Sequence, residues 1–595
     1  MRNALRPLSW ILVPVAVLAA LYSAGILSIG QGTDGAETQM IELRARIPAA
    51  WPYSLDAEPV HGTSAIVATD AALASDVGLQ VLREGGNAVD AAVATAFVLA
   101  VVYPEAGNIG GGGFLVVRMA DGTEAALDFR EKAPLAASRD MFLDAAGNTT
   151  DLSLIGHLAS GVPGAVAGLH EAHRRFGTMP WAALIEPAIR LARDGFVVEA
   201  RFAETLGQHA GRLGRFEGSA GLFLPGGQPL PAGSDWRNPD LAATLVRIAE
   251  HGPAGFYEGE TADLIVAEMR RGGGLITHED LRGYGAVWRD PVAFSYRGHR
   301  VISMPPPSSG GLTLALILGI LAGFDPDADG WHTPAALHLT AEAMRRAFAD
   351  RNAFLGDPDF VDVAAARFLS ADYATRLRAT IEPALASPSA NIVPGLSEPA
   401  ESDHTTHFSI VDAAGNAIAL TTTINELYGS AVTVAGAGFL LNNEMDDFTA
   451  KVGEPNLFGL VQGEANAIEP GKRMLSAMTP TIVLSPDGAP FLVTGARGGP
   501  RIISAVAQIV TGVIDHDMVI GQAVNVPRIH HQHLPDILYF EMGGLTAADS
   551  SALAAMGHTV RPRDGYIGSA PTLLRSARGW LGLPDPRTGG TARGY

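Results

Sequence analysis

The chain has 595 residues, 42 of them basic and 62 acidic, for a formal net charge of −20. That balance excludes a phosphate-tracking nucleic-acid binder, which needs clustered Lys and Arg, and the absence of cysteine excludes disulfides, thiolate metal sites and a cysteine nucleophile. Hydrophobic residues at 47% supply a large core, and 69 Gly with 38 Pro imply many tight turns.

Arg2 and Arg6 precede an uncharged stretch from Pro7 to Thr33, with Asp34 and Glu37 after it. Basic residues before the apolar run and acidic ones after it orient the body of the chain outward. A span needs about 20 apolar residues. Residues 1–33 therefore read as a signal-anchor, with 7–30 in the inner membrane, or as a cleaved signal peptide. The best small-residue cleavage site, Ser23-Ala24-Gly25, fits a signal peptidase poorly, which favours the anchor. Either way the body is exported, to the periplasm in a bacterium. Residues 34–60 read as a linker.

A helical pattern begins at Thr69 and stops at Gly85-Gly86; Ala88 to Val102 read as a second, wholly apolar and hence buried helix. Gly110 to Gly113 open an alternating strand, Phe114 to Met119, and Asp121-Gly122 turns it into a second strand ending at Asp128. The glycine run lacks the Gly-Lys-Ser/Thr ending of a phosphate loop, so it reads as a tight turn near a substrate. The middle, 160 to 380, is mostly helical, and Leu337 to Ala353 forms a long helix with Arg345, Arg346 and Arg351 on polar faces. Residues 381–404 hold four prolines among small and polar residues and read as a mobile tail. A hairpin follows, Thr405 to Val411 and Ala417 to Thr423 around the turn Asp412 to Asn416. Further strands are expected at Gly438–Leu441, Thr481–Leu484 and Phe491–Thr494, then a helix over Arg501–Ile514.

The junction His404-Thr405 carries the chemistry. A cut there would make Thr405 an N-terminal residue with its own base, because an α-amine with a pKa near 7.7–8.0 accepts the hydroxyl proton at neutral pH. An ordinary Thr-rich strand is the alternative on spacing alone.

Many separated motifs then occur in one order. They include Gly85-Gly86-Asn87-Ala88-Val89-Asp90, Asp128-Phe129-Arg130-Glu131, Pro306-Pro307-Ser308-Ser309-Gly310-Gly311, Ala349-Asp350-Arg351, Thr405-Thr406-His407-Phe408-Ser409, Thr423-Ile424-Asn425, Leu441 to Phe448, Gly498-Gly499 and Asp585-Pro586-Arg587. Together they resemble the γ-glutamyltranspeptidase (glutathione hydrolase) family of N-terminal-nucleophile hydrolases. The resemblance implies an α+β, four-layer αββα sandwich built as one composite domain from two autoprocessed chains. The large chain would be 61–404 with its tail at 381–404, and the small chain 405–595.

The resemblance also implies roles. Thr405 is nucleophile and base, and Thr423 bonds its hydroxyl. Arg130 holds the substrate α-carboxylate, for which its planar fork is suited; an ion pair with Asp128 or Glu131 is the structural alternative. Asn425, Glu444 and Asp447 accept from the substrate ammonium. Gly498 and Gly499 form the oxyanion hole, and Ser476 contacts the carboxylate. Ala477 departs from the family, which usually has a second serine there. Phe458 stands in a lid loop, 448–458, where a tyrosine is expected. His530-His531-Gln532-His533 matches no zinc spacing and reads as structural or surface; no metal or cofactor is expected.

The activity implied is hydrolysis or transfer of γ-glutamyl groups from glutathione and related compounds, to water or to an amino acid or peptide. Two alternatives stay open: a β-lactam side-chain acylase acting on glutaryl-type amides, and an unprocessed, exported binding protein.

Overall fold

Strands covered on both faces lose water on both, and the hairpin after the junction shows this: every residue of Thr406–Val411 and Ala417–Thr423 is buried, the polar His407, Ser409 and Thr421 included. The computed structural model describes residues 40–392 and 405–595. Residues 51–595 form one compact unit, and residues 1–50, described from 40 onward, count as another. In the described part of the latter, residues 40–46 are helical. The predicted anchor at 1–33 and the junction residue His404 lie outside the described residues. Among the described residues no helix is long and apolar enough to cross a membrane.

Two seven-stranded antiparallel sheets form the centre. One has the order 591–594, 66–69, 406–411, 417–423, 112–118, 124–129, 287–289. The other runs 60–62, 579–583, 572–576, 490–494, 481–484, 299–303, 292–296. The strand after the junction is central, paired through Ser409 with Ala68 on one side and through Thr406–Val411 with Ala417–Thr422 on the other. The sheets pack on each other, and helices cover both outer faces: Ala72–Arg83, Ala88–Val102 and Ala165–Phe176 on the first sheet, Gly310–Leu321 and Ile520–Asn525 on the second. This is the expected αββα sandwich.

Local chemistry fixes the first layer. Asn87 caps Ala88–Val102, accepting from Val89 and Asp90 amides while the Asp90 side chain accepts from the Asn87 amide. All fifteen residues of that helix are buried. Asp412, in the turn of the hairpin, also accepts from the Ala88 amide at 2.9 Å, tying hairpin to helix.

Several expectations need correction. Gly438–Leu441 forms no strand; Leu440 makes an isolated bridge to Thr433. The pattern from Thr69 splits into a strand, Ile66–Thr69, and a helix starting at Ala72. The end of the supposed linker is docked: Trp51 Nε1 donates to Asn525 O at 2.9 Å, and Asn525 Nδ2 to Ser54 O at 2.6 Å.

Arg345, Arg346 and Arg351, expected on polar faces, are buried in the helix Pro334–Phe354. The first two find partners in the supposed tail. Arg345 bonds Ser389 Oγ, and Arg346 bonds Thr380 and Ser387. Residues 381–392 are thus clamped by polar contacts, with Ile381 and Ala386 buried beside them; 393–404 lie outside the described residues. The His530–His533 run is buried, not on the surface: His530 meets Ser504 Oγ at 2.7 Å, and His533 Nε2 meets the carbonyls of Ser389 and Ile392 at 3.1 Å. Its structural reading fits these contacts.

Candidate active site

Thr405 stands at the start of the central strand, 4% exposed, and opens onto a cleft of about 340 Å³. The cleft is lined by Thr423, Asn425, Arg130, Glu444, Asp447, Ser476, Ala477, Phe458 and Gly499 as well. All but two of the residues singled out in sequence therefore converge there; Gly498 lies one residue back from the lining, and His404 is not described.

Each side chain is placed by backbone. Thr423 ends the strand next to that of Thr405, and its Oγ1 lies 3.5 Å from Thr405 Oγ1. That exceeds an ordinary O–H···O bond, so the hydroxyls are neighbours in loose contact. The Asn425 amide donates to Thr423 Oγ1 at 2.8 Å. Asn425 itself has φ +70°, which its short polar side chain tolerates. Its Nδ2 donates to Asn443 O at 3.0 Å, which leaves Oδ1 as the acceptor for a ligand.

Arg130 follows the strand Glu124–Phe129 and carries a dense acidic set. Its Nη1 is 2.7 Å from Glu444 Oε2 and 3.6 Å from Glu131 Oε2, and its Nη2 bonds Asp447 Oδ2. Asp128, the other ion-pair candidate, instead pairs with Arg289 and Arg473. Burial alone would lower the Arg130 pKa, but the three carboxylates outweigh it and raise it. Burial drives those carboxylates up, against the pull of Arg130: Glu444 well above its ordinary value, Asp447 upward, and Glu131 to about 7. Among the described residues neither oxygen of Glu444 or Glu131 accepts a well-aligned hydrogen bond; Glu444 Oε2 is met by the Arg130 ion pair alone. An ammonium placed here would meet acceptors that the protein leaves unused.

Gly499 also lines the cleft; Gly498 and Gly499 have φ +130° and +56°, and Pro500 caps the helix Arg501–Asp515. Among the described residues neither glycine amide donates a hydrogen bond, the state expected of donors kept for an oxyanion. A Cβ on Gly499 would come within 2.6 Å of the Phe458 ring, so glycine is required there by close packing of the lid. Phe458 is held in turn by Gln532, whose Nε2 donates to its carbonyl at 3.1 Å.

Sequence reasoning missed Arg351, Asn456, Leu460 and Gln462, which also line the cleft. Arg351 belongs to the Ala349-Asp350-Arg351 motif but was read as a polar-face residue of its helix, and nothing in the spacing of the other three singles them out; helix and loop lie about a hundred residues apart in sequence. It also missed a buried group outside the cleft, His338, Glu342 and His558, with metal-like proximity. Its donor atoms are already engaged: His338 Nδ1 meets His558 Nε2 at 2.8 Å, His338 Nε2 meets Glu382 O at 2.9 Å, and Arg345 Nη2 faces His558 Nδ1 at 3.3 Å. A hydrogen-bonded chain from Arg345 to Glu382 accounts for the imidazole nitrogens, and the Glu342 carboxylate accepts from Arg345 Nε and Arg346 Nη1.

The gamma-glutamyltranspeptidase family profile matches residues 74–595. The chain belongs to this family. It is 46% identical over 552 residues to the glutathione hydrolase proenzyme of Escherichia coli (strain K12), covering 91% of this chain and 95% of that protein. Among solved structures, it resembles cephalosporin acylase from Bacillus halodurans, with TM-score 0.82 and 29% identity over 92% of this chain and 99% of that one. It also resembles Helicobacter pylori γ-glutamyltranspeptidase, with TM-score 0.54 and 48% identity over 55% of this chain and 93% of that one. As a member of the γ-glutamyltranspeptidase family, the chain has the two-sheet sandwich, with Thr405 and Gly499 lining one cleft.

Proposed function

We propose that the protein is a self-processing γ-glutamyl hydrolase and transferase, acting on glutathione and related γ-glutamyl compounds. The observation that carries this is the single cleft joining Thr405 to an arginine and a set of unsatisfied acceptors, the two halves of an amino-acid head-group site. Cleavage between His404 and Thr405 frees the Thr405 α-amine. Thr405 Oγ then attacks the γ-carbonyl carbon while the amine takes its proton. The oxyanion is received by the Gly498 and Gly499 amides. The amine returns the proton to the leaving nitrogen, the C–N bond breaks, and water or an acceptor amine resolves the γ-glutamyl ester. Arg130 and Ser476 hold the donor carboxylate; Asn425, Glu444 and Asp447 hold its ammonium. The large chain, 61–404, and the small chain, 405–595, stay together. The N-terminal segment directs the body out of the cytoplasm, and it is periplasmic in a bacterial host.

A second reading, a glutaryl-type acylase, is favoured by Ala477, which offers one hydroxyl fewer to the head group, and by the likeness to the cephalosporin acylase. Intact mass separates processed from unprocessed protein, and two anilides separate the substrates. The expected result is a wild type split at 404/405, a Thr405→Ala variant that stays whole, and turnover of γ-glutamyl anilide ahead of glutaryl anilide. A processed enzyme that turns over only the glutaryl compound would select the acylase. An uncut wild type would remove Thr405 as the nucleophile.

A further inference from the structure

The cleft holds a second guanidinium that the scheme above leaves without a role. Arg351 is 1% exposed and lines the same cavity as Thr405. Its Nε donates to Ser309 Oγ at 3.0 Å, and its Nη1 to Asn352 Oδ1 at 2.9 Å and Gln462 Oε1 at 3.1 Å. All three acceptors are neutral. Among the described residues, Nη2 donates to nothing and no carboxylate comes within ion-pair distance. The contrast with Arg130, which faces Glu444, Asp447 and Glu131, is complete. The negative charge felt by Arg351 is that of Asp447, and Asp447 is already bonded to Arg130; burial pushes the Arg351 guanidinium down to about 10, which leaves it charged at neutral pH. Keeping a buried cation without a counter-ion is unfavourable, because its lost hydration is not repaid by an ion pair. An anion arriving in the cleft would relieve that cost.

The position of Arg351 says which anion. The Ser309 hydroxyl that accepts from Arg351 donates to Ser476 O at 2.6 Å, and the Ser309 amide donates to the same oxygen at 2.7 Å. Arg351 is thus one hydroxyl away from the Ser476-Ala477 segment, where the donor carboxylate is expected and where a methyl replaces a second hydroxyl.

We propose that Arg351 is a second cationic contact for the carboxylate of the acyl donor, working beside Arg130 at the place where Ala477 supplies no hydrogen bond. The proposal rests on the cleft being the acyl-donor site. A carboxylate shared between the two arginines loosens Arg130 from Glu444 and Asp447 and frees those acids for an ammonium. A donor with a carboxylate and no ammonium would still find Arg351 unopposed.

Three anilides test this: γ-glutamyl, with carboxylate and ammonium; glutaryl, with carboxylate alone; and 4-aminobutyryl, with ammonium alone. Wild type, Arg351→Met and Arg351→Lys are compared as processed two-chain enzyme, checked by intact mass. Loss of a hydrogen bond to a charged group predicts that Arg351→Met lowers kcat/KM by roughly 10- to 150-fold on the two carboxylate donors, mainly through KM. The 4-aminobutyryl donor should be nearly unaffected, and Arg351→Lys should recover part of the loss. Equal losses on all three donors, or no loss on any, would overturn the proposal. If Arg351→Met fails to process, competition decides: glutarate should inhibit Arg351→Lys more weakly than wild type, while 4-aminobutyrate inhibits both alike, and equal weakening of the two overturns the proposal. A processed wild type that turns over none of the three anilides would instead overturn the assignment of the cleft, and the proposal with it.

Discussion

Glu342 and Glu444 are both fully buried glutamates facing arginines, yet their pKa values move in opposite directions. Glu342 sits in the clamp on residues 381–392. Its Oε1 accepts from Arg345 Nε at 3.0 Å and the Ser387 amide at 3.2 Å, and its Oε2 accepts from Arg346 Nη1 at 2.5 Å. Asp536 in the same clamp accepts from Arg345 and from the Ser389 amide. Burial raises both acids, but these bonds outweigh it and both are held below their ordinary values. In the cleft, Glu444 has its arginine at 2.7 Å but off the hydrogen-bond axis, and no amide donates to it. Burial wins there. Dryness is common to both regions; completed hydrogen bonding is not. A charge cluster whose acceptors are filled by its own chain holds structure together, and one whose acceptors are empty awaits a ligand.

The comparison can be broken at either end. At the cleft, Gly499→Ala forces a Cβ against Phe458 and displaces a donor amide, and kcat should fall about 10²–10³-fold with the fold intact by circular dichroism. At the clamp, Glu342→Gln leaves Arg345 and Arg346 without their shared carboxylate, and breaking a buried pair costs about 3–5 kcal/mol. The thermal midpoint should drop by several degrees while kcat per processed enzyme holds. A loss of kcat without a loss of stability would show that the clamp serves catalysis.

Ala477→Ser restores a hydroxyl beside the carboxylate site, and KM for γ-glutamyl anilide should fall by up to about tenfold. No change would mean that Arg351 already satisfies that carboxylate.

The smallest effect is a pH effect. Glu131 titrates at about 7 in the folded protein, above the ordinary 4.5. The acid cluster loses charge as pH falls through 7, so it holds an ammonium less well. The ratio of wild-type to Glu131→Gln kcat/KM on γ-glutamyl anilide should exceed one at pH 8 and approach one below pH 6, within about tenfold overall. Because a raised carboxyl pKa removes stability as pH climbs from 4.5 to about 7, Glu131→Gln should also melt higher than wild type at pH 8.

The hairpin from Thr406 to Thr423 is legible because alternating apolar runs flank Asp412 to Asn416, and both strands form where expected. The helix Ala88–Val102 is legible because apolarity on every side leaves burial as the only outcome. Arg345, Arg346 and Arg351 are not. A charged helical residue is ordinarily solvated, and what buries these comes from Ser387 and Ser389, from Asp536, and from Gln462, at separations of 41 to 191 residues. Gly438–Leu441 fails as a strand because its partner is a loop at Thr433, so no ladder propagates. Motif resemblance names residues at the cleft, but it does not show which of their hydrogen bonds are left open.

In the first sheet the strand Ile66–Thr69 lies between Thr591–Gly594 and Thr406–Val411, and in the second the strands 481–494 and 572–583 lie between 60–62 and 292–303. A cut at 404/405 therefore yields two polypeptides plaited through each other, with no face along which they could part. Such a pair would not behave as subunits. Its melting temperature should not depend on protein concentration, labelled and unlabelled small chains should not exchange, and the only way to separate the halves would be to unfold both.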